Sequence, residues 1–490
     1  MKNKKIVLIN PPWYFEHPRD IILSQNLGIG YLCSYLQKHG HMVSVIDALA
    51  EGVGNINKVR GSYQKFYQAG LNYEGILDRI PKDSDFIGIS SPFTNNARIV
   101  KGLASFIKTA LPKTPIILGG VYPSLTPQDA LCNSIDYYVI GEGEKALLDL
   151  VSDKPAEGIK GVVSYGENKR DFEYAEIIKD LDEIPFPARD KLPMEKYLSF
   201  ISPRKLKLKS VSVITSRGCP FDCNFCSIHL ITGYGWRKRS PINVLDEIKS
   251  LIKNYDIEHI EFEDDNLTLD KTRAMEIFEG IKKINKDTRN LSWSTPNAVR
   301  IDNLDEELLR EIKKSNCLSL SFGIESGDPE ILEKMNKKLN LEKALEVAML
   351  CKKLDIKTIF FFMTGYPGET KDSFNKTLSF IKKLKKIGGD TFYSTITRAY
   401  PGTRLFDMCL EKKYISKDIG RENIFLGNTL TPENSIITPE FNSRVLTNRL
   451  HFIEKITVPF YLRFYHRHFH LIKKIVPDKI IRKTKLLLKI

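Results

Sequence analysis

The chain has 490 residues, 42% hydrophobic and 27% charged, with a formal net charge of +14. That length implies about two to four domains with ample buried core, and the composition is that of a globular protein rather than a fibrous or disordered one. No run reaches the roughly 18–20 uninterrupted apolar residues of a membrane span, and eight cysteines, three of them in one loop, form no disulfide framework, which points to a reducing cytoplasm.

Lysines precede Ile6-Val7-Leu8-Ile9, but this apolar run is short and ends in Asn10-Pro11-Pro12, so it reads as a first strand rather than a secretory signal. The N-terminal third then alternates apolar runs with amphipathic segments. Strands are expected at 6–9, 43–46, 86–89, 116–118 and 137–140, and helices at 29–38, 97–110 and 127–132. This rhythm predicts a doubly wound, Rossmann-like parallel sheet, in which ligands lie beyond the carboxyl ends of the strands. Small and turn-forming residues gather at those ends: Pro11-Pro12, Ser90-Ser91-Pro92, Gly119-Gly120 and Gly141-Glu142-Gly143-Glu144. Any one of these is ordinary loop punctuation. Four on one edge, with glycines that let backbone approach a bulky ligand, make Ser90, Ser91, Gly119, Gly120, Gly141, Glu142 and Gly143 candidate cofactor-binding residues. A plain nucleotide site is weakened because no Gly-x-Gly-x-x-Gly follows the first strand. Residues 1–154 form this domain, and 155–208, with the proline-broken stretch Ile184-Pro185-Phe186-Pro187-Ala188, form a stiff connector.

A strand at 211–214 leads into Ser216-Arg217-Gly218-Cys219-Pro220-Phe221-Asp222-Cys223-Asn224-Phe225-Cys226, where three cysteines stand at i, i+4 and i+7 with no fourth nearby. Thiolates suit zinc or iron–sulfur clusters. Structural zinc wants four protein ligands, and a cubic cluster is usually held by four cysteines. Three in one tight loop suggest a cluster with one iron left open, although His229 keeps a zinc alternative in play.

This spacing resembles the signature of radical S-adenosylmethionine enzymes. The resemblance implies a 4Fe-4S cluster on Cys219, Cys223 and Cys226, with S-adenosylmethionine on the open iron and cleaved to a 5′-deoxyadenosyl radical. It also places Phe225 beside the adenine. Downstream, helices at 244–254, 271–284, 306–314, 341–354 and 371–386 alternate with strands at 259–263, 291–294, 319–323, 358–363 and 391–396. Six strands predict a partial (β/α)6 barrel over 209–410, with functional residues at the strand C-termini. There Asp265 is a candidate ligand contact, and Gly323-Ile324-Glu325-Ser326-Gly327 resembles a family segment whose glutamate, here Glu325, contacts S-adenosylmethionine.

Taken with the cysteine loop, the first domain resembles the cobalamin-binding domain of cobalamin-dependent radical S-adenosylmethionine enzymes. Leu27-Gly28-Ile29-Gly30-Tyr31-Leu32, Gly119-Gly120-Val121-Tyr122-Pro123 and Gly141-Glu142-Gly143-Glu144 carry the likeness. The Asp-x-His-x-x-Gly signature is absent, and Tyr122 stands where many relatives have histidine, which argues against cobalt ligation from below.

Residues 411–490 are expected to form a mainly helical extension, and 451–490 carry ten Lys/Arg against two acids. Such a basic, aromatic-rich segment could lie on an anionic membrane surface or pack as a solvated helix. Nucleic acid is a weaker fit. The resulting expectation is methylation of an unactivated carbon of a small-molecule or lipid-like substrate, using cobalamin and an electron donor such as flavodoxin or ferredoxin. Oxidative cyclisation or rearrangement with the same cofactors is the alternative, and a non-catalytic sensor or carrier is the alternative of another class.

Replacing Cys219, Cys223 or Cys226 with Ala should abolish iron binding and 5′-deoxyadenosine formation together. Changing Cys33, Cys132, Cys317, Cys351 or Cys409 should leave about four irons per chain. Iron analysis after anaerobic reconstitution decides it, and an equally essential scattered cysteine would refute the three-ligand site.

Overall fold

Alternation along short aliphatic strands builds the first layer. In Lys5–Asn10, Ile6 and Leu8 face one side of the sheet, where helices Leu27–Lys38 and Gly143–Val151 pack. Val7 and Ile9 face the other, toward helix Ala97–Ala110. The computed structural model describes residues 3–15, 18–60, 65–167, 172–200, 208–287, 290–415 and 436–457. Across the first sheet the strands run Met42–Asp47, Lys5–Asn10, Phe86–Ser90, Ile116–Gly119, Tyr137–Val139 and Val162–Ser164. All pairs are parallel except the last. The order reverses between Lys5–Asn10 and Phe86–Ser90, which opens a crevice at the carboxyl edge.

Three features differ from the sequence expectation. Val162–Ser164 lies in the stretch assigned to the connector yet closes the sheet as an antiparallel edge, so the first domain runs past residue 154. Trp13–Phe15, Lys65–Ala69 and Ile56–Arg60 form a small antiparallel sheet that no clean apolar alternation announces. The helix expected at 127–132 is confined to Pro127–Ala130.

The second sheet holds six parallel strands in chain order: Ser210–Val213, His259–Phe262, Ser292–Ser294, Cys317–Glu325, Lys357–Thr364 and Thr391–Ile396. Here the apolar side chains face outward. Val211, Val213, Ile260, Phe262, Trp293, Leu320, Phe322, Phe360 and Phe362 pack under the surrounding helices. Their alternates, among them Ser212, Glu261, Ser294, Ser319, Ser321 and Glu325, therefore line the inside. His259, buried between the Ser292 and Ser294 hydroxyls at 2.8 Å each, is pushed down to about 4 by burial and stays neutral. Helix Ser443–Thr457 packs beside the last two barrel strands, and its buried Arg449 pairs with Glu369 at 2.6 Å. The basic stretch 458–490 lies outside the described residues. Among the described residues no helix is long and apolar enough to cross a membrane.

The connector does more than space the domains. Pro187 rests where a Cβ on Gly30 would sit, 2.9 Å away. Arg189 enters a buried triad in which it and Arg239 share the Glu247 carboxylate, while their remaining N–H groups donate to the Ser212 and Ile214 carbonyls. Tyr197 donates to Asp47 at the sheet edge.

Glu247→Gln would leave two buried guanidinium groups without their counter-charge. The expected loss is about 3–5 kcal/mol, read as a lowered urea midpoint at unchanged slope. A loss under about 1 kcal/mol would remove the triad from the stabilising interactions.

Candidate functional site

The cysteine loop is held from three sides. Asp264, buried at the end of the second barrel strand, accepts from the Thr215 amide at 3.0 Å and hydroxyl at 2.6 Å, and from the Ser216 hydroxyl at 2.5 Å. Asp265 accepts from the Gly218 amide at 3.0 Å, and burial pushes its carboxyl up to about 6. On the far side, Asn224 N–H donates to the Met335 carbonyl at 2.9 Å, Asn336 donates to the Asp222 carbonyl at 2.6 Å, and Leu405 N–H donates to the Asn224 carbonyl at 3.0 Å. Arg300 lies over the Phe221 ring at 3.9 Å. Phe225 is partly buried against the core cluster that contains Ile331, Leu332 and Tyr366.

Within this frame Cys219, Cys223 and Cys226 are half-buried, whereas Cys33, Cys317, Cys351 and Cys409 are fully buried core residues. His229 engages the Phe221 carbonyl through Nε2 at 2.8 Å and stacks on Tyr234. Its other ring nitrogen, Nδ1, is buried with no hydrogen-bond partner among the described residues. Among the described residues no three ligating side chains converge on a single-ion position. Three thiols on one loop fit a cluster that takes one thiolate per iron.

Glu325 stands beside this loop with φ +66, a left-handed conformation that costs a non-glycine residue about 1–3 kcal/mol. Its carboxylate pairs with Lys337 Nζ at 2.9 Å. Burial opposes the Lys337 charge, but Glu325 and the neighbouring Cys223 outweigh it and raise the ammonium above its usual range. Gly323 makes room: a Cβ there would lie 2.6 Å from the Glu325 carboxylate. An anion and a cation side by side suit the amino and carboxylate groups of an amino-acid head such as that of S-adenosylmethionine.

The carboxyl edge of the first sheet faces the cysteine loop across a cavity of about 390 Å³. Ser90, Gly119, Gly120, Gly141, Glu142 and Gly143 line one side, and Ser216, Arg217, Glu263 and Asp265 the other. Its depth is apolar, running between the sheet and two helices past Leu8, Ile29, Leu32, Ile117, Val139 and Leu147. There Gly88 leaves space that a Cβ would close against Leu8 at 2.8 Å. An open glycine edge above a dry slot fits cobalamin, which combines a flat macrocycle with an aromatic tail. Ser91 is fully buried outside this cavity, where its carbonyl accepts the Tyr122 amide, so its candidate role gives way to a structural one. Tyr122 turns into the opposite core and bonds Asp129 at 3.0 Å.

Arg217 was not singled out from the sequence, yet it joins the two halves. It pairs with Glu142 at 3.2 Å and Glu144 at 2.7 Å, lies over the Tyr31 ring at 5.1 Å, and Arg237 also pairs with Glu142. Burial alone would raise the Glu144 carboxyl, but Arg217 outweighs it and holds the group below its ordinary range.

Comparison with known proteins agrees with this geometry. Residues 213–381 match the Radical SAM superfamily and residues 23–151 the B12 binding domain. An uncharacterised methyltransferase from Pyrococcus horikoshii is 34% identical over 422 residues, covering 84% of each chain. The chain belongs to the cobalamin-dependent radical S-adenosylmethionine enzymes. The enzyme is also 29% identical to cytidylyl-2-hydroxyethylphosphonate methyltransferase of Streptomyces wedmorensis, over 85% of this chain and 83% of that one. Its fold resembles that of the methyltransferase TsrM from Kitasatospora setae, solved with cobalamin and a 4Fe-4S cluster, with a TM-score of 0.68 over 92% and 91% of the chains at 16% identity.

Gly119 and Gly120 separate steric exclusion of cobalamin from misfolding. A Cβ on Gly119 meets nothing closer than Val139 at 3.8 Å, whereas Gly120 has φ +105 and a Cβ there would meet the Ser91 carbonyl at 2.6 Å. Gly119→Leu should therefore keep the fold and reduce cobalamin retention after gel filtration at least tenfold (about 1.4 kcal/mol), while Gly120→Leu should lower stability itself. Undiminished cobalamin binding by Gly119→Leu would remove this edge from the corrin site.

Proposed function

We propose that the enzyme methylates an unactivated carbon of a small-molecule substrate held between the sheet edge and the barrel mouth. One observation carries this reading: a single cavity joins the glycine edge at Gly119 and Gly141 to Asp265 and Ser216, the residues that lead into the cysteine loop. Relatives named as methyltransferases support it, one of them acting on a cytidylylated hydroxyethylphosphonate. When bound, the cluster with S-adenosylmethionine supplies a hydrogen-abstracting primary radical and cobalamin supplies a methyl group.

The protein's part is placement and exclusion of water. Asp264 and Asp265 fix the start of the cysteine loop through backbone and hydroxyl donors. Glu325 and Lys337, paired at 2.9 Å, would hold the amino-acid head of S-adenosylmethionine by complementary charge. The glycines at 119, 120, 141 and 143 let the macrocycle lie close to backbone, and Arg217 with Glu142 and Glu144 closes the side of the cavity where the domains meet. The half-exposed cysteines leave the cluster within reach of an external electron donor of the flavodoxin or ferredoxin kind.

Transfer of one methyl group consumes two molecules of S-adenosylmethionine, one as methyl donor and one as radical source. Protein reconstituted with iron, sulfide and cobalamin, then given S-adenosylmethionine and a reductant, should form both S-adenosylhomocysteine and 5′-deoxyadenosine. Formation of 5′-deoxyadenosine alone would favour cyclisation or rearrangement over methyl transfer.

A further inference from the structure

Residues 334–338 clasp the cysteine loop on both sides of its middle cysteine. The Asn224 amide donates to the Met335 carbonyl at 2.9 Å, and its side chain donates to the Lys334 carbonyl at 2.7 Å. Asn336 donates to the Asp222 carbonyl at 2.6 Å. Met335 and Asn336 thus hold the two neighbours of Cys223, and the next residue, Lys337, enters beside that thiol. The clasp is bent to do this: Asn336 and Lys338 have φ of +52 and +49, a left-handed conformation that persists where surrounding contacts impose it. Arg300 supplies such contacts by donating to the Lys337 carbonyl at 2.8 Å and the Lys338 carbonyl at 2.6 Å.

Two cations are set against the loop in this way. Arg300 covers the Phe221 ring, between Cys219 and Cys223, and carries Asp302 as its own carboxylate. Lys337 has a side chain only 13% exposed and pairs with Glu325 at 2.9 Å. Burial pushes the Cys223 thiol up; against it Lys337 acts most strongly, then Arg300, while Glu325 adds to it least. The cation of the Lys337–Glu325 pair therefore reaches Cys223 ahead of the anion. Asp265 is the acid on the opposite flank, toward Cys219 and Cys226.

A cluster held by three thiolates is anionic before reduction and gains one further negative charge from each electron. Its potential follows the net charge and hydrogen bonding around it. A fixed cation in a dry pocket favours that electron, and a fixed anion opposes it. We propose that Lys337 is a positioning residue for electron uptake: its buried charge, placed by the 334–338 clasp, raises the reduction potential of the cluster on Cys219, Cys223 and Cys226. One electron passes from a donor of the flavodoxin or ferredoxin kind to the cluster, and Lys337 makes that transfer more favourable. The assignment rests on the cluster, which iron content tests separately, and not on methyl transfer, which S-adenosylhomocysteine reports.

The test is a redox titration of full-length protein reconstituted with iron and sulfide, followed by electron paramagnetic resonance before any S-adenosylmethionine is added. It is run at alkaline pH, where Glu325 stays ionised without its partner. Lys337→Gln should shift the equilibrium at least tenfold toward the oxidised cluster, a fall of about 59 mV for one electron. Lys337→Arg keeps the charge and should stay within about twofold of the unaltered protein. Glu325→Gln removes the opposing charge at nearly constant shape and should move the equilibrium the other way, by at least about twofold. Opposite signs separate a field from a loosened loop. An unchanged potential in Lys337→Gln with normal iron content overturns the proposal, and so do shifts of the same sign in Lys337→Gln and Glu325→Gln. If Lys337→Gln loses its iron, Glu325→Gln decides: a raised potential supports the proposal, and an unchanged or lowered one overturns it.

Discussion

Arg217 sets the distance between the two halves of this enzyme. It lies two residues before the first cluster cysteine, and its guanidinium is buried between Glu142 and Glu144, which start the helix after the fifth strand of the first sheet. A buried charge is tolerable only when paired and fully hydrogen-bonded, so the loop and the sheet edge cannot drift apart without exposing three charges in a dry interface. Arg237, on the short strand paired with Ser216–Arg217, adds a second cation to Glu142. One ion network thus fixes where the cysteine loop stands relative to the sheet-edge side of the larger cavity.

The barrel serves the same end by turning its polar residues inward. Its outward aliphatic and aromatic side chains supply the adhesion to the helices, which frees the inner face for serines, a neutral histidine and acids that no core would accept. The charged and titratable ones are held by partners: His259 has two serine hydroxyls, Asp264 has three donors from the cysteine loop, and Glu325 has Lys337. Glu263, which accepts from Ser212 and Asn297, sits in the wall between the cofactor cavity and a smaller one beside it.

Both sheets were legible before any coordinates, because aliphatic strands and amphipathic helices leave a local periodic signal. The strand ends followed from the same reading, which is why Gly119, Gly120, Gly141, Glu142 and Asp265 reach one cavity. Ser91 shows the limit, since neighbouring residues at a strand end point opposite ways and only Ser90 faces the cavity. The antiparallel sheet of Trp13–Phe15, Lys65–Ala69 and Ile56–Arg60 left no such trace, its polar residues interrupting any apolar alternation.

By itself, the sequence determined the chemistry that lies in contiguous residues: three cysteines on one turn, small and turn-forming residues at four strand ends with glycines at two of them, and the order of strands and helices. Backbone spacing within a loop or element is a local property, so one stretch of chain suffices to state it. The tertiary structure alone decided what depends on residues far apart in the chain. It paired Arg217 with Glu142 and Glu144 across more than seventy positions, closed the Arg189–Glu247–Arg239 triad from connector and barrel, and brought Glu263 and Trp13 to the lining of one cavity. Pairings of that kind form only when separately folded surfaces meet and shed water, and no local pattern records which distant charge a buried arginine will find.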